Sequence, residues 1–145
     1  MQSNSAEANQ KLAWVKLLQH ACERVHAQLG QQSEATLRNA LEAELQCRGF
    51  HVTRENMYVV QYETSRGFRI PVGVVRADIV ATTKQGNVFV LELKSTPSTS
   101  PSTTKAINAQ LRRYDVALPM DADLFLVVFA ASTPPVVAQY ERTIV

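Results

Sequence analysis

Asp78, Glu92 and Lys94 have the types and spacing to hold a divalent cation beside a positive charge, because all three fall on one face of a predicted β-hairpin. Residues 74–80 alternate toward a strand, and residues 87–94 form a strongly apolar second strand. Between them, Thr83-Lys84-Gln85-Gly86 puts a glycine where a three-residue hairpin loop takes positive φ. With Lys84-Gln85-Gly86 as the loop, Thr83 pairs with Asn87 and Asp78 falls opposite Glu92. The Cβ atoms of such a pair lie roughly 4.5–5.5 Å apart, and like charges so placed destabilise a sheet. A divalent cation removes that penalty, since hard oxygen ligands at about 2.0–2.1 Å suit Mg²⁺. Lys94 lies two residues beyond Glu92 and points to the same face. It therefore suits a phosphate or a nucleophilic water. The competing reading is a solvated sheet face with incidental charges. Glu92 argues against it by interrupting Val88-Phe89-Val90-Leu91, since a charge in a buried strand needs a partner or a metal.

Other residues could join this group. Arg76 shares the face of Asp78, either as an ion-pair partner of the two acids or as a phosphate contact. On the second predicted helix, at ~100° per residue, Glu34 projects from the apolar stripe of Leu37, Leu41 and Leu45. It reads as a third carboxylate reaching the metal, or as a first-turn acid favoured by the helix dipole. Glu44, at the stripe's edge, is the fallback, with a solvated or ion-paired role as its plainer reading. Gln110 and Tyr114 are one helical turn apart and share a face. They are half-buried polar residues or, placed over the Glu92 strand, groups that orient a water or a phosphate backbone. His20 and Cys22 face differently, so a zinc site with His26 is not expected. There is no glycine-rich phosphate loop and no Ser-His-Asp signature.

The elements that position these residues follow from periodicity. Residues 6–29 read as an amphipathic helix with Trp14, Leu17, Leu18, Ala21, Val25 and Leu29 on one face, ended by Gly30. Ser33 caps a second helix through about Arg48. Residues 50–62 are extended, with the best strand at 57–62, and Thr64-Ser65-Arg66-Gly67 is a turn. Pro71 and Gly73 make the approach to Asp78 irregular. The polar stretch 95–102 reads as a mobile loop, residues 104–117 as a helix, and 124–129 as a buried central strand. After Pro134-Pro135 the tail is ambiguous between an irregular segment and one short helix. The order is α/β, with a mixed sheet and helices packed on it.

At 145 residues, 46% hydrophobic and 19% charged, the chain suits one domain with a real core. A net charge of +2 and a pI near 8.7 permit nucleic-acid binding without arguing for it. Two cysteines without metal spacing read as reduced thiols. No apolar stretch approaches a membrane span, and the N-terminus lacks the features of a secretory signal. The expectation is a cytoplasmic or nuclear protein with no membrane association.

Asp78, a gap of thirteen residues, Glu92-Leu93-Lys94 and then Gln110-x-x-x-Tyr114 resemble the PD-(D/E)XK nuclease superfamily. Within it the chain is most similar to the GxxExxY proteins, through Ser33-Glu34-Ala35, residues 39–45, Arg48-Gly49-Phe50, Arg76-Ala77-Asp78-Ile79-Val80 and Val90-Leu91-Glu92-Leu93-Lys94. Gln31 and Leu37 stand where the naming motif has glycine and tyrosine, and Ala77 where the superfamily often has proline. The resemblance implies a restriction-endonuclease-like core, αβββαβ with a mixed central sheet, preceded by an extra N-terminal helix. The expected divisions are 1–32 for that helix and linker, 33–130 for the core, and 131–145 for a tail packing on it. It implies a Mg²⁺-dependent (or Mn²⁺-dependent) phosphodiesterase acting on DNA or RNA. Asp78, Glu92 and the Leu93 carbonyl would bind metal, Lys94 would activate water and stabilise charge, and Glu34 would complete the shell. Gln110, Tyr114, Arg76 and Arg113 would meet substrate, with Arg112 and Lys105 adding a basic surface. The alternative is a catalytically inactive relative that binds nucleic acid or scaffolds a protein assembly. In that role the first helix could serve a protein partner or a homodimer.

Overall fold

Helix ends and hairpin turns form where the residue types require them. In the computed structural model, which describes residues 2–54, 57–96, 101–119, 121–131 and 133–142, α1 (Gln2–Leu29) is followed by α2 (Glu34–Cys47). Ser33 caps α2, its hydroxyl accepting the Thr36 N–H at 3.2 Å. Seven strands and a third helix follow: β1 (His51–Arg54), β2 (Met57–Glu63), β3 (Arg69–Arg76), β4 (Ile79–Thr82), β5 (Val88–Ser95), α3 (Pro101–Ala117), β6 (Ala122–Phe129) and β7 (Val136–Tyr140).

Five of these strands form a mixed sheet in the order β1-β4-β5-β6-β7, while β2 and β3 pair separately as a hairpin. The β5–β6 pair is parallel, joined by α3 as the crossover; the β1–β4, β4–β5 and β6–β7 pairs are antiparallel. This is the mixed α/β architecture expected. The sheet has a core on each face. On one, α1 and α2 bury Leu18, Ala21, Val25, Leu37, Leu41 and Leu45 against Phe89, Leu91, Leu93, Phe125 and Val127. On the other, Ile107, Leu111 and Tyr114 of α3, with Val75 of β3, cover Val80, Val90 and Leu124. The apolar stripe of α1 is thus committed to the chain's own core, except that Leu29 is 36% exposed. Trp14 also donates its indole N–H to Gln85 at 2.8 Å and packs edge-on to Phe50.

Several expectations change. The extended stretch 50–62 divides into two strands of different sheets, with residues 55–56 outside the described residues. The strand through Asp78 is broken at Ala77-Asp78, where the chain passes from the hairpin into the main sheet. Helix α3 begins at Pro101, so the expected loop at 95–102 shortens; residues 97–100 lie outside the described residues. The tail after Pro135 is no helix but β7, because β6 still has an edge to pair. Among the described residues, no helix is long and apolar enough to cross a membrane.

Candidate active site

The β4–β5 hairpin has the expected register. Ile79 pairs with Leu91 and Thr82 with Val88, and the Thr83 N–H donates to the Asn87 carbonyl at 3.0 Å around a loop closed by Gly86 at φ 86°. The ladder stops at Ile79–Leu91. The next N–H on that edge of β5 belongs to Leu93, and Asp78 Oδ2 accepts it at 2.8 Å. A side chain thus does the work of a missing strand partner and pins Asp78 beside residues 92–93. A strand residue presents its N–H and C=O to the same edge, so the Leu93 carbonyl also lies on the Asp78 side.

Glu92 is 3% exposed and faces α3. Its Oε1 accepts from the Gln110 amide at 2.8 Å and lies 3.2 Å from Lys94 Nζ. Its Oε2 is 2.7 Å from the Tyr114 hydroxyl, which also contacts the Arg76 carbonyl oxygen. Burial, and next the Asp78 charge, push the Glu92 carboxyl up to about 7, against the opposing pull of Tyr114 and Lys94. Burial and then the Glu92 charge raise the Tyr114 phenol above its ordinary value, so it remains a donor at neutral pH. That hydroxyl has one proton for two acceptors. The Glu92 carboxylate and the Arg76 carbonyl therefore share it.

The remaining expected residues divide. Gln110 and Tyr114 both bond the Glu92 carboxylate. Arg76 and Arg113 are exposed and line a cleft of about 540 Å³ with Val74, Val75, Ala109 and Gln110. Arg113 Nη2 donates to the Val74 carbonyl at 3.2 Å. Arg112 is exposed, whereas the Lys105 side chain lies outside the described residues. Glu34 is exposed, and its carboxylate accepts the Ser95 N–H at 3.4 Å, on the β5 edge where Asp78 accepts the Leu93 N–H two residues earlier. The helical wheel placed it on the apolar stripe, but α2 sits over the sheet face opposite Glu92. Glu44 pairs with Arg48 and Arg24 at 3.2 and 3.4 Å. Cys22 is buried, its thiol pushed up to about 12 by burial and then by Glu23, and acts as a small core residue. Residues 64–67 form the expected turn, and it closes on Phe68, exposed between Arg66 and Arg69.

The profile of a protein family described as "PD-(D/E)XK nuclease superfamily" matches residues 13–133 of the chain. The chain belongs to the PD-(D/E)XK nuclease superfamily. No curated protein matches it. Among solved structures, "cryoEM structure DrdV-DNA complex" is similar at 19% identity and a TM-score of 0.40 over 87% of this chain. The match spans 12% of that much longer chain. In this PD-(D/E)XK chain, no group of three or more His, Cys, Asp or Glu side chains among the described residues is placed to hold a metal ion. The oxygens that meet here are those of the Asp78 and Glu92 carboxylates and the Leu93 carbonyl. All are hard oxygens, and the like-charge strain on Glu92 is what a divalent cation there would relieve. The residues fit such an ion.

Proposed function

We propose that the chain hydrolyses phosphodiester bonds of nucleic acid, DNA or RNA, with Mg²⁺ or Mn²⁺ held by Asp78, Glu92 and the Leu93 carbonyl. The observation that supports this most directly is Glu92, buried in a strand beside a second carboxylate with Lys94 Nζ 3.2 Å away. A bound divalent cation supplies Lewis-acid polarisation of the phosphate and a lowered pKa for a coordinated water. The chain's own groups do the rest. Lys94, 25% exposed at the open end of the group, offers its ammonium where phosphate charge develops. Gln110 and Tyr114 fix both oxygens of Glu92. Arg76 and Arg113 neutralise flanking phosphates along the cleft. Glu34, through the Ser95 N–H, supports the end of β5 that carries Lys94.

Incubation with plasmid and with single-stranded DNA and RNA in Mg²⁺ or Mn²⁺ tests this reading. Cleavage is expected from the wild type, with a loss of about 10²-fold or more in Glu92→Ala and Lys94→Ala. Cleavage that persists in both variants excludes this site. A second reading, an inactive module that binds nucleic acid or scaffolds a protein assembly, is favoured by Gln31 and Leu37, which stand where the GxxExxY motif has glycine and tyrosine. Absence of cleavage together with absence of Asp78-dependent metal binding by calorimetry selects it.

A further inference from the structure

The two hairpin loops are closed by one device. Thr64 and Thr83 each open a three-residue loop, Ser65-Arg66-Gly67 and Lys84-Gln85-Gly86. In each, the threonine N–H donates to the carbonyl of the closing residue, at 2.8 Å for Phe68 and 3.0 Å for Asn87. The glycine N–H donates to the threonine carbonyl, at 2.9 and 3.0 Å, and the threonine hydroxyl accepts the closing residue's N–H, at 3.1 Å in both. Both glycines have positive φ, 84° and 86°.

What the loops present differs. The β4–β5 loop closes on Asn87, and its Gln85 is held by Trp14. The β2–β3 loop closes on Phe68, which is 66% exposed, with Ile70 47% exposed two residues on. Arg66 and Arg69 flank the ring and are exposed. A bulge at Val60/Gln61 shifts the alternation, so the face carrying Phe68 and Ile70 continues through Gly73 and Val75. Val75 is buried against α3, and Arg113 crosses to the Val74 carbonyl. One face therefore runs from the hairpin tip past Arg113 to the cleft bordered by Gln110, whose amide holds Glu92. β3 has eight residues and spans about 27 Å.

We propose that the β2–β3 hairpin is an arm that binds an unpaired strand of nucleic acid, with Phe68 stacking on a base and Arg66 and Arg69 contacting phosphates. The arm rests on the nuclease reading for its direction, delivering that strand toward Asp78 and Glu92. Charge selects the occupant: Arg66 and Arg69 flank the tip and Arg76 and Arg113 line the cleft, against Glu63 opposite Arg69. The ring selects the form, because a duplex hides its base faces while an unpaired strand exposes them to aromatic side chains. A loop pinned by three hydrogen bonds holds the ring ready, which lowers the ordering cost of binding.

Fluorescence anisotropy on the full chain tests the arm, with labelled oligothymidylate, oligouridylate and a blunt DNA duplex, in EDTA so that no cleavage intervenes. Phe68→Ala is expected to weaken single-strand binding by about 5- to 150-fold, the effect of one lost stacked base, with duplex binding little changed. Phe68→Trp should keep the affinity and add a tryptophan whose fluorescence falls on binding. Replacing Arg66 and Arg69 together by alanine should reduce the slope of log affinity against log salt by about 1.4. An unchanged Phe68→Ala, an equal loss on duplex and single strand, or wild-type single-strand binding weaker than about 100 µM overturns the arm. So does a sedimentation shift showing that Phe68→Ala dissolves an oligomer while nucleic-acid binding persists, which assigns the tip to a protein contact. The two readings fail separately: Phe68-dependent binding without cleavage sinks only the nuclease reading, and cleavage with Phe68-independent binding sinks only the arm.

Discussion

Glu92 is under opposing demands, and its protonation records them. Three donors, from Gln110, Tyr114 and Lys94, favour the carboxylate, while burial and Asp78 oppose it. With the folded carboxyl at about 7 against 4.5 unfolded, the native state holds a proton that the unfolded chain has released throughout that window. Native stability in EDTA therefore falls as pH rises from 4.5 to about 7, by up to about 3 kcal/mol. Urea denaturation at pH 5 and pH 8 checks this. Glu92→Gln should flatten the difference, and Mg²⁺ should restore stability at pH 8 in the wild type but not in the variant. An equal pH slope in the variant assigns the effect elsewhere. At this scale the sequence was informative about register, since Thr83 and Gly86 define the loop and the loop defines which acid meets which. It was less informative about Gln110 and Tyr114. Their spacing shows a shared helix face, but which strand that face meets depends on the crossover from β5 to β6.

Elements were legible where a local rule acts alone, as with the Ser33 cap and the glycine-closed hairpins. They were not legible where pairing over distance decides. The break at Ala77-Asp78 and the strand β7 both exist because of sheet neighbours that no local pattern names. Arg142 shows the same limit. It lies just past β7 and bonds the Asp115 carboxylate at 3.0 Å through Nε. Its guanidinium also meets the carbonyls of Asp115, Leu118 and Ala122 at 2.7, 3.1 and 2.9 Å, and that of Pro119. The last carbonyls of a helix lack intrahelical partners, so this one side chain caps α3 and ties the tail to it. With Arg142 12% and Asp115 4% exposed, Arg142→Ala should cost about 1.5–3 kcal/mol, the range for lost hydrogen bonds to a charged group. Arg142→Lys should recover only part, because an ammonium cannot span that many acceptors. Denaturant midpoints measure the loss, and faster proteolytic release of the tail should accompany it. A loss below about 1 kcal/mol would mean that the guanidinium is effectively solvated.

Across the whole molecule, the sheet is a partition with a separate apolar cluster on each side. The α1–α2 side contributes Glu34 of α2 to the candidate site, and β5 contributes to both clusters: Phe89, Leu91 and Leu93 point to one, and Val90 to the other, beside Glu92. Every second residue of the strand that carries the site is therefore anchored by α1 and α2, which gives the N-terminal helix a structural role in the chain itself. Unfolding should be one cooperative transition. Leu18→Ala, on the α1 side, and Leu111→Ala, on the α3 side, should each cost about 2–5 kcal/mol. Because the sheet separates the two side chains, the double variant should lose the sum to within about 0.5 kcal/mol. Calorimetry and urea titration followed by far-ultraviolet circular dichroism decide it. Two resolved transitions, with Leu18→Ala moving only one, would show that α1 and α2 fold apart from the site. One shared transition moved by both would show that the two sides of the sheet unfold together.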